Sequence, residues 1–209
     1  MKEKKSILLT GATGFLGSQL LHALLTEGYR VTILKRSYSN TTRIHALLPQ
    51  VQAYDLDLID LQEVFLSRPF HCILHTATCY GPKESYSEII ASNTLFPMHL
   101  LEGAIKHNIP HFINTDSSLP PSLNLYASSK NQFALWGKDL AKKHQISFSN
   151  IVLEHMYGPG ESPRRLPTFL IQNCLRGVAS LPLTPGEQKR DFIYIDDVVS
   201  AYLLLVEKG

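Results

Sequence analysis

The sequence predicts an α/β fold with a doubly wound parallel sheet and an incomplete second lobe. Over the first three quarters of the chain, short apolar runs alternate with segments of helical periodicity, which is typical of parallel strands joined by helices. The chain has 209 residues, of which 44% are hydrophobic and 18% charged, as expected for a globular protein long enough to bury a core. We place the core at 1–156. Residues 157–209 then begin the second lobe and return elements to the core.

The first strand, turn and helix carry the strongest signal. An apolar run at 7–9 predicts a buried strand, and leucines at helical spacing over 16–25 predict the helix that follows. Gly11 permits a sharp turn, Gly14 leaves room for a pyrophosphate, and Gly17 lets the helix pack closely on the strand. The amino terminus of the helix offers free N–H groups to phosphates. We therefore expect a Rossmann-type, nucleotide-binding unit rather than an ordinary glycine-rich turn.

Five further strands and their connecting helices follow. We predict strands at 30–35, 51–54, 71–75, 111–114 and 147–153, and helices at 39–48, 61–66, 85–107 and 126–143. Pro97 should kink or restart the long helix at 85–107. Loop residues follow Tyr157. They lead to a helix at 166–175, short strands around 180–183 and 191–195, and a last helix from Asp196.

Charge and cysteine content exclude several classes of function. The net charge of +2 comes with no dense basic stripe, so we expect no nucleic-acid partner. No apolar run reaches the roughly 18 residues of a membrane span, and the run after Lys2, Lys4 and Lys5 is too short for an export signal. The three cysteines show neither paired nor metal-binding spacing. We therefore expect a cytoplasmic protein with free thiols.

Tyr126 and Lys130 are the candidate proton-transfer pair. Residues four apart on a helix share a face, so both side chains can point into one cleft. A nearby ammonium lowers the pKa of a tyrosine, which then exchanges a proton with a substrate oxygen. Ser117 and Ser118 follow the fifth strand, where the ligand crevice of such sheets lies. The alternatives are a surface lysine, and a turn formed by Asp116 and the two serines.

Four motifs resemble the extended short-chain dehydrogenase/reductase family, the NAD(P)-dependent epimerases and dehydratases of nucleotide sugars. The motifs are Gly11-Ala-Thr-Gly-Phe-Leu-Gly17, Ser117, Tyr126-Ala-Ser-Ser-Lys130 and the stretch from Arg190 to Val198. A narrower likeness is to the synthases of CDP-linked abequose and paratose, which reduce a 4-keto group. It lies in the stretches 75–81, 114–119, 126–136 and 153–158.

The resemblance implies the site residues by position. It assigns catalysis to Ser117, Tyr126 and Lys130. Tyr126 and Lys130 also contact the cofactor, together with Gly11, Thr13, Gly14, Phe15, Leu16, Gly17, Asp57, Leu58, Thr76, Ala77 and Thr78. Asp57 and Leu58 match a pair that contacts adenine, which we prefer to a metal site at Asp55, Asp57 and Asp60. Substrate contacts fall to Tyr80, Ser117, His155 and Arg190, with Arg190 on the diphosphate.

Three functions remain open on these grounds. The resemblance favours a 4-ketoreductase, in which Tyr126 supplies a proton and Ser117 holds the carbonyl oxygen. A 4-epimerase or dehydratase would instead regenerate its cofactor in each cycle. A cofactor-binding sensor or scaffold without turnover is the rival from another class. The resemblance also implies a homodimer through a four-helix interface, formed by the helix of Tyr126 and the long helix before it.

The second strand ends on Lys35 and Arg36, with no acidic residue to bind a ribose 2′-OH. Two cations at this position favour NADP(H) over NAD(H), because a guanidinium binds a 2′-phosphate well. The alternative is that both charges are simply solvated. The chain also ends where relatives continue into a larger lobe. On that basis we expect this chain to bind the cofactor but to turn over poorly or not at all.

Overall fold

The computed structural model describes residues 5–81 and 84–208. Lys2 and Lys4, which precede the apolar run considered above as an export signal, lie outside the described residues. The strands are β1 (Ser6–Thr10), β2 (Arg30–Lys35), β3 (Gln52–Asp55), β4 (Cys72–His75), β5 (His111–Ser117), β6 (Ser147–Leu153), β7 (His155–Tyr157) and β8 (Phe192–Tyr194). The α-helices are α1 (Phe15–Thr26), α2 (Leu61–Ser67), α3 (Tyr86–Ile90), α4 (Phe96–Lys106), α5 (Leu125–Lys143), α6 (Leu166–Leu175) and α7 (Ile195–Lys208). A 3₁₀ segment spans Thr42–Gln50 and a π turn spans Ala91–Leu95.

The main sheet confirms the predicted doubly wound architecture. Six parallel strands lie in the order β3-β2-β1-β4-β5-β6. The chain leaves one half of the sheet after β3 and starts the other at β4, so the order reverses between β1 and β4. In such sheets ligands bind beyond the carboxyl ends of the strands at this reversal. Thr10 and His75 are the last paired residues there.

The core has two layers because alternate side chains of a strand point to opposite faces. On one face, Ile7 and Leu9 pack with α1 and α7, including the fully buried Tyr202. On the other face, Leu8 packs with residues of α2, α4 and α5. The two helical layers hold the sheet rigidly, and the loops at the carboxyl ends of the strands are therefore presented from a fixed base.

The long helix predicted at 85–107 is interrupted earlier than Pro97. It runs as α3, the π turn and α4, and Pro97 occupies the first turn of α4. Proline is tolerated there because its missing N–H has little to donate to. The break that Pro97 predicts is therefore present, but its form is a π turn that buries Asn93 and Thr94.

The last quarter of the chain differs from the expectation in two respects. No strand forms at 180–183, where Pro182 lacks a backbone donor. Instead β7, which the sequence pattern did not indicate, pairs in parallel with β8. β7 spans the boundary expected after residue 156, while α7 packs on α1; the division into 1–156 and 157–209 stays a prediction. Among the described helices, none has the length and apolar character to cross a membrane.

Candidate active site

The glycine turn is shaped partly by packing and partly for a ligand. Gly11 has φ +73°, and a Cβ there would lie 2.6 Å from the backbone nitrogen of Ala77. A Cβ on Gly17 would lie 2.1 Å from the carbonyl oxygen of Gly11. The protein itself therefore requires these two glycines, and the close helix–strand approach expected of Gly17 is present.

Gly14 is different. A Cβ there would meet one atom within 4 Å, the Gly11 carbonyl oxygen at 3.2 Å, and its other surroundings are open. Gly14 is exposed and precedes α1 as its N-cap, without a side-chain cap. The open space and the uncapped helix amino terminus fit a pyrophosphate that approaches the backbone. The residues of this turn thus fit a dinucleotide cofactor.

Thr10 connects the end of β1 to the end of β4 and the loop that follows it. Its hydroxyl contacts Nδ1 of His75 at 2.9 Å and accepts from the backbone nitrogen of Ala77 at 3.3 Å, while the Thr76 hydroxyl donates to its carbonyl oxygen at 2.7 Å. His75 is fully buried among Phe96, Phe112 and Phe133, and burial lowers its pKa well below the ordinary value. His75 is therefore a neutral, structural residue, as its position at a strand end indicates.

The groups expected near the adenosine end occupy the loops after β2 and β3. Lys35 forms an ion pair with Asp55, so its ammonium already has a partner. The carboxylate of Asp57 accepts from the backbone nitrogen of Ser37 at 2.8 Å and from its hydroxyl at 2.5 Å, and these bonds lower its pKa. Leu58 is 75% exposed. Asp60 caps α2 by accepting from Gln62.

Arg36 is the cation of this end that remains at the surface. It is exposed, its guanidinium lies 5.8 Å from the centre of the Tyr38 ring, and its Nη2 donates to the hydroxyl of Ser92 at 3.3 Å. The expectation of two cations for a 2′-phosphate therefore rests on Arg36, because Lys35 is engaged by Asp55.

Helix α5 carries Tyr126 and Lys130 into the crevice. Asn124 starts the helix by accepting from the backbone nitrogen of Ala127 at 2.9 Å. Lys130 is 3% exposed, which rules out the alternative of a solvated surface lysine. Ser117, at the end of β5, lies close enough to Tyr126 for their hydroxyls to interact, and Thr78 does so as well. The structure therefore brings Ser117 and Tyr126 together, with the buried Lys130 one turn further along α5.

The pKa values of Tyr126 and Lys130 differ from those that their pairing on one helix face predicts. Burial raises the pKa of Tyr126 to about 12, although hydrogen bonding with Ser117 and Thr78 acts in the opposite direction. Burial also lowers the pKa of Lys130 to about 8, against the attraction of Asp116. The lowering of the Tyr126 pKa that we expected from Lys130 is not found, because desolvation of the phenol dominates. At neutral pH both groups hold their protons.

Asn93, on the π turn, is a residue of this site that sequence reasoning missed. It is 1% exposed, and its side chain bonds both backbone groups of Cys79, at 2.8 and 2.9 Å. It also donates to the Ser129 hydroxyl at 3.1 Å and accepts from Thr78 at 3.2 Å. Asn93 thereby joins the loop after β4 to the helix of Tyr126. An asparagine inside a helical pattern gives no signal of this role, because its partners are distant in sequence.

The predicted substrate residues lie on two sides of the crevice. The ring of Tyr80 lies 5.1 Å from that of Tyr126, and the guanidinium of Arg165 lies over Tyr80 at 5.7 Å. Arg165 had no sequence signal. His155 and Arg190 line an open cleft of about 770 Å³ that also contains Ser118. Ser117, Tyr126 and Lys130 do not line this cleft, and Ser118 is the lining residue next in sequence to Ser117.

Comparison with known families agrees with this geometry. The model of the NAD dependent epimerase/dehydratase family matches residues 7–209. A curated relative, the CDP-abequose synthase of Salmonella muenchen, is 36% identical over 213 residues, which cover 98% of this chain and 71% of the relative. A putative UDP-glucose 4-epimerase of Methanocaldococcus jannaschii is 24% identical, covering 95% of this chain and 72% of the relative.

Solved structures share the fold. The UDP-glucose 4-epimerase of Thermotoga maritima, solved with UDP-glucose, superposes with a TM-score of 0.82 at 21% identity, covering 96% of this chain and 72% of that one. The UDP-glucuronic acid 4-epimerase of Bacillus cereus, solved with NAD, gives a TM-score of 0.82 at 25% identity and covers 97% of this chain and 74% of that one. Both similarities extend over nearly the whole chain.

Proposed function

Because the chain belongs to the NAD dependent epimerase/dehydratase family, we propose that it is an oxidoreductase of nucleotide sugars that reduces a 4-keto (di)deoxysugar with NADPH. The observation that carries this proposal is the pairing of Ser117 with Tyr126, one helical turn from the buried Lys130, in a fold whose glycine turn fits a dinucleotide. The 36% identity to a CDP-abequose synthase supports a substrate of the CDP-4-keto-dideoxysugar type.

The chain's own groups account for binding and proton transfer. Gly14 and the amino terminus of α1 would hold the pyrophosphate, and Tyr126 with Lys130 the ribose next to the nicotinamide. The nicotinamide supplies the hydride when the cofactor is bound. Ser117 would orient the keto oxygen, and the Tyr126 hydroxyl, protonated at neutral pH, would donate a proton to it. Lys130, one turn along the same helix, would stabilise the negative charge that the phenol acquires during proton transfer.

Preference for NADP(H) over NAD(H) is part of the proposal. No carboxylate ends β2, and Arg36 is exposed at that position. An arginine fork forms charge-assisted hydrogen bonds with a phosphate. Asp57 fixes Ser37, the residue after Arg36, and so restrains the backbone that carries the guanidinium.

On the substrate side, we assign the diphosphate to Arg190 and sugar contacts to Tyr80, Ser117 and His155. Arg190 and His155 line one cleft, as a shared ligand requires. The Tyr80 ring lies 5.1 Å from the Tyr126 ring, at an interplanar angle of 31°, and so borders the proton donor. The guanidinium of Arg165 lies over Tyr80 and adds a positive charge there.

A 4-epimerase is the second candidate. The UDP-glucuronic acid 4-epimerase of Bacillus cereus, at 25% identity and a TM-score of 0.82, supports it. The two candidates use the same catalytic groups and differ in the fate of the cofactor. A reductase oxidises one NADPH for each sugar, whereas an epimerase shows no net consumption.

The test is a panel of CDP-, dTDP-, UDP- and GDP-linked 4-keto sugars, with NADPH oxidation followed by absorbance. In line with the poor turnover expected above, we expect slow turnover of one class of these sugars and its abolition by Tyr126→Phe, which removes the proton donor and keeps the ring. Cofactor affinity should change little. Tyr86→Phe, on an exposed ring of α3, is the matched control and should retain full activity. Stoichiometric NADPH binding without oxidation by any sugar would support the sensor or scaffold instead.

A further inference from the structure

Asp116 is a buried carboxylate at the catalytic end of β5 that has no place in the roles assigned above. It is 8% exposed. Its Oδ1 accepts from the backbone nitrogen of Ser117 at 2.8 Å, and its Oδ2 accepts from Nδ2 of Asn150 at 2.9 Å. Burying a charge is costly unless the charge is compensated, so a buried carboxylate indicates compensating groups nearby.

The partner on β6 fixes the direction of these bonds. Nδ2 of Asn114 donates to Oδ1 of Asn150 at 2.6 Å, so the other end of the Asn150 amide, its Nδ2, faces Asp116. Both oxygens of Asp116 thus receive hydrogen bonds from N–H donors. These two bonds compensate the buried carboxylate, and its charge lies at the end of β5.

That charge faces α5. Alternation along β5 places Asn114 and Asp116 on the same side as Phe112, which packs against Phe133 of α5. Lys130 is buried in this layer, and Asp116 opposes the effect of burial on its pKa. Within residues 5–81 and 84–208, no carboxylate forms a direct ion pair with Lys130. Asp116 is the charge that compensates this ammonium from a distance.

Resting on the proposed function, we propose that Asp116 is a positioning residue. Its carboxylate fixes the backbone of Ser117 through a hydrogen bond and supplies the negative charge that keeps the buried Lys130 protonated. Both effects favour reduction. Ser117 is held where a keto oxygen would bind, and the site keeps the protons that this oxygen must receive.

The charged and titratable groups around Lys130 set the sign of the pH dependence. They are Asp116 on β5 and the neutral His75 on β4, and Tyr126 lies one turn away on α5 itself. Tyr126 is faced in turn by Tyr80 and Asp116. Removing the Asp116 charge lowers the pKa of both Lys130 and Tyr126. The alkaline limb of the rate profile therefore moves to lower pH.

The experiment compares Asp116→Asn with the double variant Asp116→Asn/Asn150→Asp. The single variant keeps an acceptor for Ser117 but opposes two amide groups at positions 116 and 150. The double variant restores that hydrogen bond and moves the charge to an exposed position on β6. Asp139→Asn, at an exposed site on α5, removes the same charge as a control.

The first readout needs no turnover. The Lys130 side chain is titrated by NMR of ¹³C-labelled lysine and assigned by its loss in Lys130→Arg. We expect its midpoint to fall in Asp116→Asn and in the double variant, and to stay unchanged in Asp139→Asn. An unchanged midpoint in Asp116→Asn overturns the charge role. If that variant does not fold, the double variant decides in the same way.

The second readout separates positioning from binding. In Asp116→Asn we expect kcat to fall roughly tenfold while KM changes little, because geometry rather than affinity is disturbed. The double variant should recover most of kcat at pH 6.5 but keep the shifted alkaline limb. Equal kcat in the single variant and wild type overturns the positioning role. If wild type reduces no 4-keto sugar, the proposed function fails, and the lysine titration still decides the role of Asp116.

Discussion

The ammonium of Lys130 occupies the interior between α5 and the sheet, where it is 3% exposed and its pKa falls to about 8. In the unfolded chain the pKa of a lysine is about 10.4. Below pH 8 the folded protein must hold a buried charge, and this penalty disappears once the group is neutral in both states. The proposed catalytic function thus requires a residue that opposes folding.

Lys130→Met should therefore stabilise the protein while abolishing turnover. The pKa difference corresponds to about 3 kcal/mol, the upper limit of the gain in unfolding free energy at pH 7. The unfolded chain binds more protons than the folded one between pH 8 and about 10.4, so wild-type stability rises with pH in that window. The gain in unfolding free energy of Lys130→Met over wild type should therefore shrink as the pH rises.

Urea unfolding at pH 7 and pH 9.5 measures this effect. Lys138→Met, at an exposed position of the same helix, is the control and should show no pH-dependent gain. A variant Lys130→Met that is less stable than wild type at pH 7 would show that the ammonium is stabilised by its surroundings instead.

Arg36 carries the proposed cofactor preference, since Lys35 is paired with Asp55. Arg36→Ala should weaken NADPH binding about tenfold and leave NADH binding nearly unchanged. Only NADPH carries the 2′-phosphate that we propose the guanidinium binds. Calorimetric titration with both cofactors provides the measurement, and Arg30→Ala, at the opposite end of β2, is the control. Equal losses for both cofactors would contradict the assignment.

The glycine turn between β1 and α1 contains a glycine that folding requires, Gly17, and a glycine that we propose cofactor binding requires, Gly14. Gly17→Ala would place a Cβ 2.1 Å from a backbone oxygen that cannot move away, so we expect a loss of stability of about 3 kcal/mol or more, or failure to fold. Gly14→Ala meets one contact at 3.2 Å, has no positive φ and should fold normally. It should nevertheless bind NADPH at least tenfold more weakly, because the methyl group occupies the space proposed for the pyrophosphate.

Thermal unfolding and NADPH titration of both variants test this separation. Normal NADPH affinity in Gly14→Ala would show that the open space at this turn does not hold the cofactor. The comparison between the two variants controls for a general effect of adding a methyl group at the glycine turn and the start of α1.

Elements with local signals could be predicted from sequence, and those set by distant pairing could not. The apolar runs of β2 and β6 and the periodicity of α6 predict their bounds correctly. β7 has three residues and exists because β8, more than 30 positions away, pairs with it. The run at 180–183 resembles a strand but finds no partner. The same limit applies to the site, where Asn93 and Asp116 act through partners on other elements.

At the scale of the whole molecule, apolar side chains on one helical layer remain exposed. α3, the π turn and α4 pack beside α5. Their exposed apolar residues are Tyr86, Ile90, Leu95, Leu135 and Trp136. Two such helical layers, one from each protomer, would form the four-helix interface that we propose for a homodimer.

Leu135→Glu should convert the dimer to a monomer, because a carboxylate would be buried in the interface. Light scattering during size-exclusion chromatography gives the mass directly. Leu66→Glu, on the exposed side of α2, is the matched control and should leave the mass unchanged. A wild-type protein that runs as a monomer at micromolar concentration would contradict the proposed interface.

We propose that hydride transfer to a sugar C4 is completed by a proton from Tyr126. The most direct measurement supplies NADPH deuterated at C4 of the nicotinamide together with a CDP-4-keto-dideoxysugar, and locates the label by mass spectrometry and NMR. We expect one deuterium at C4 of the sugar for each NADPH oxidised, with neither event in Tyr126→Phe. An epimerised sugar without net oxidation of NADPH, or bound cofactor with no label transferred, would contradict it.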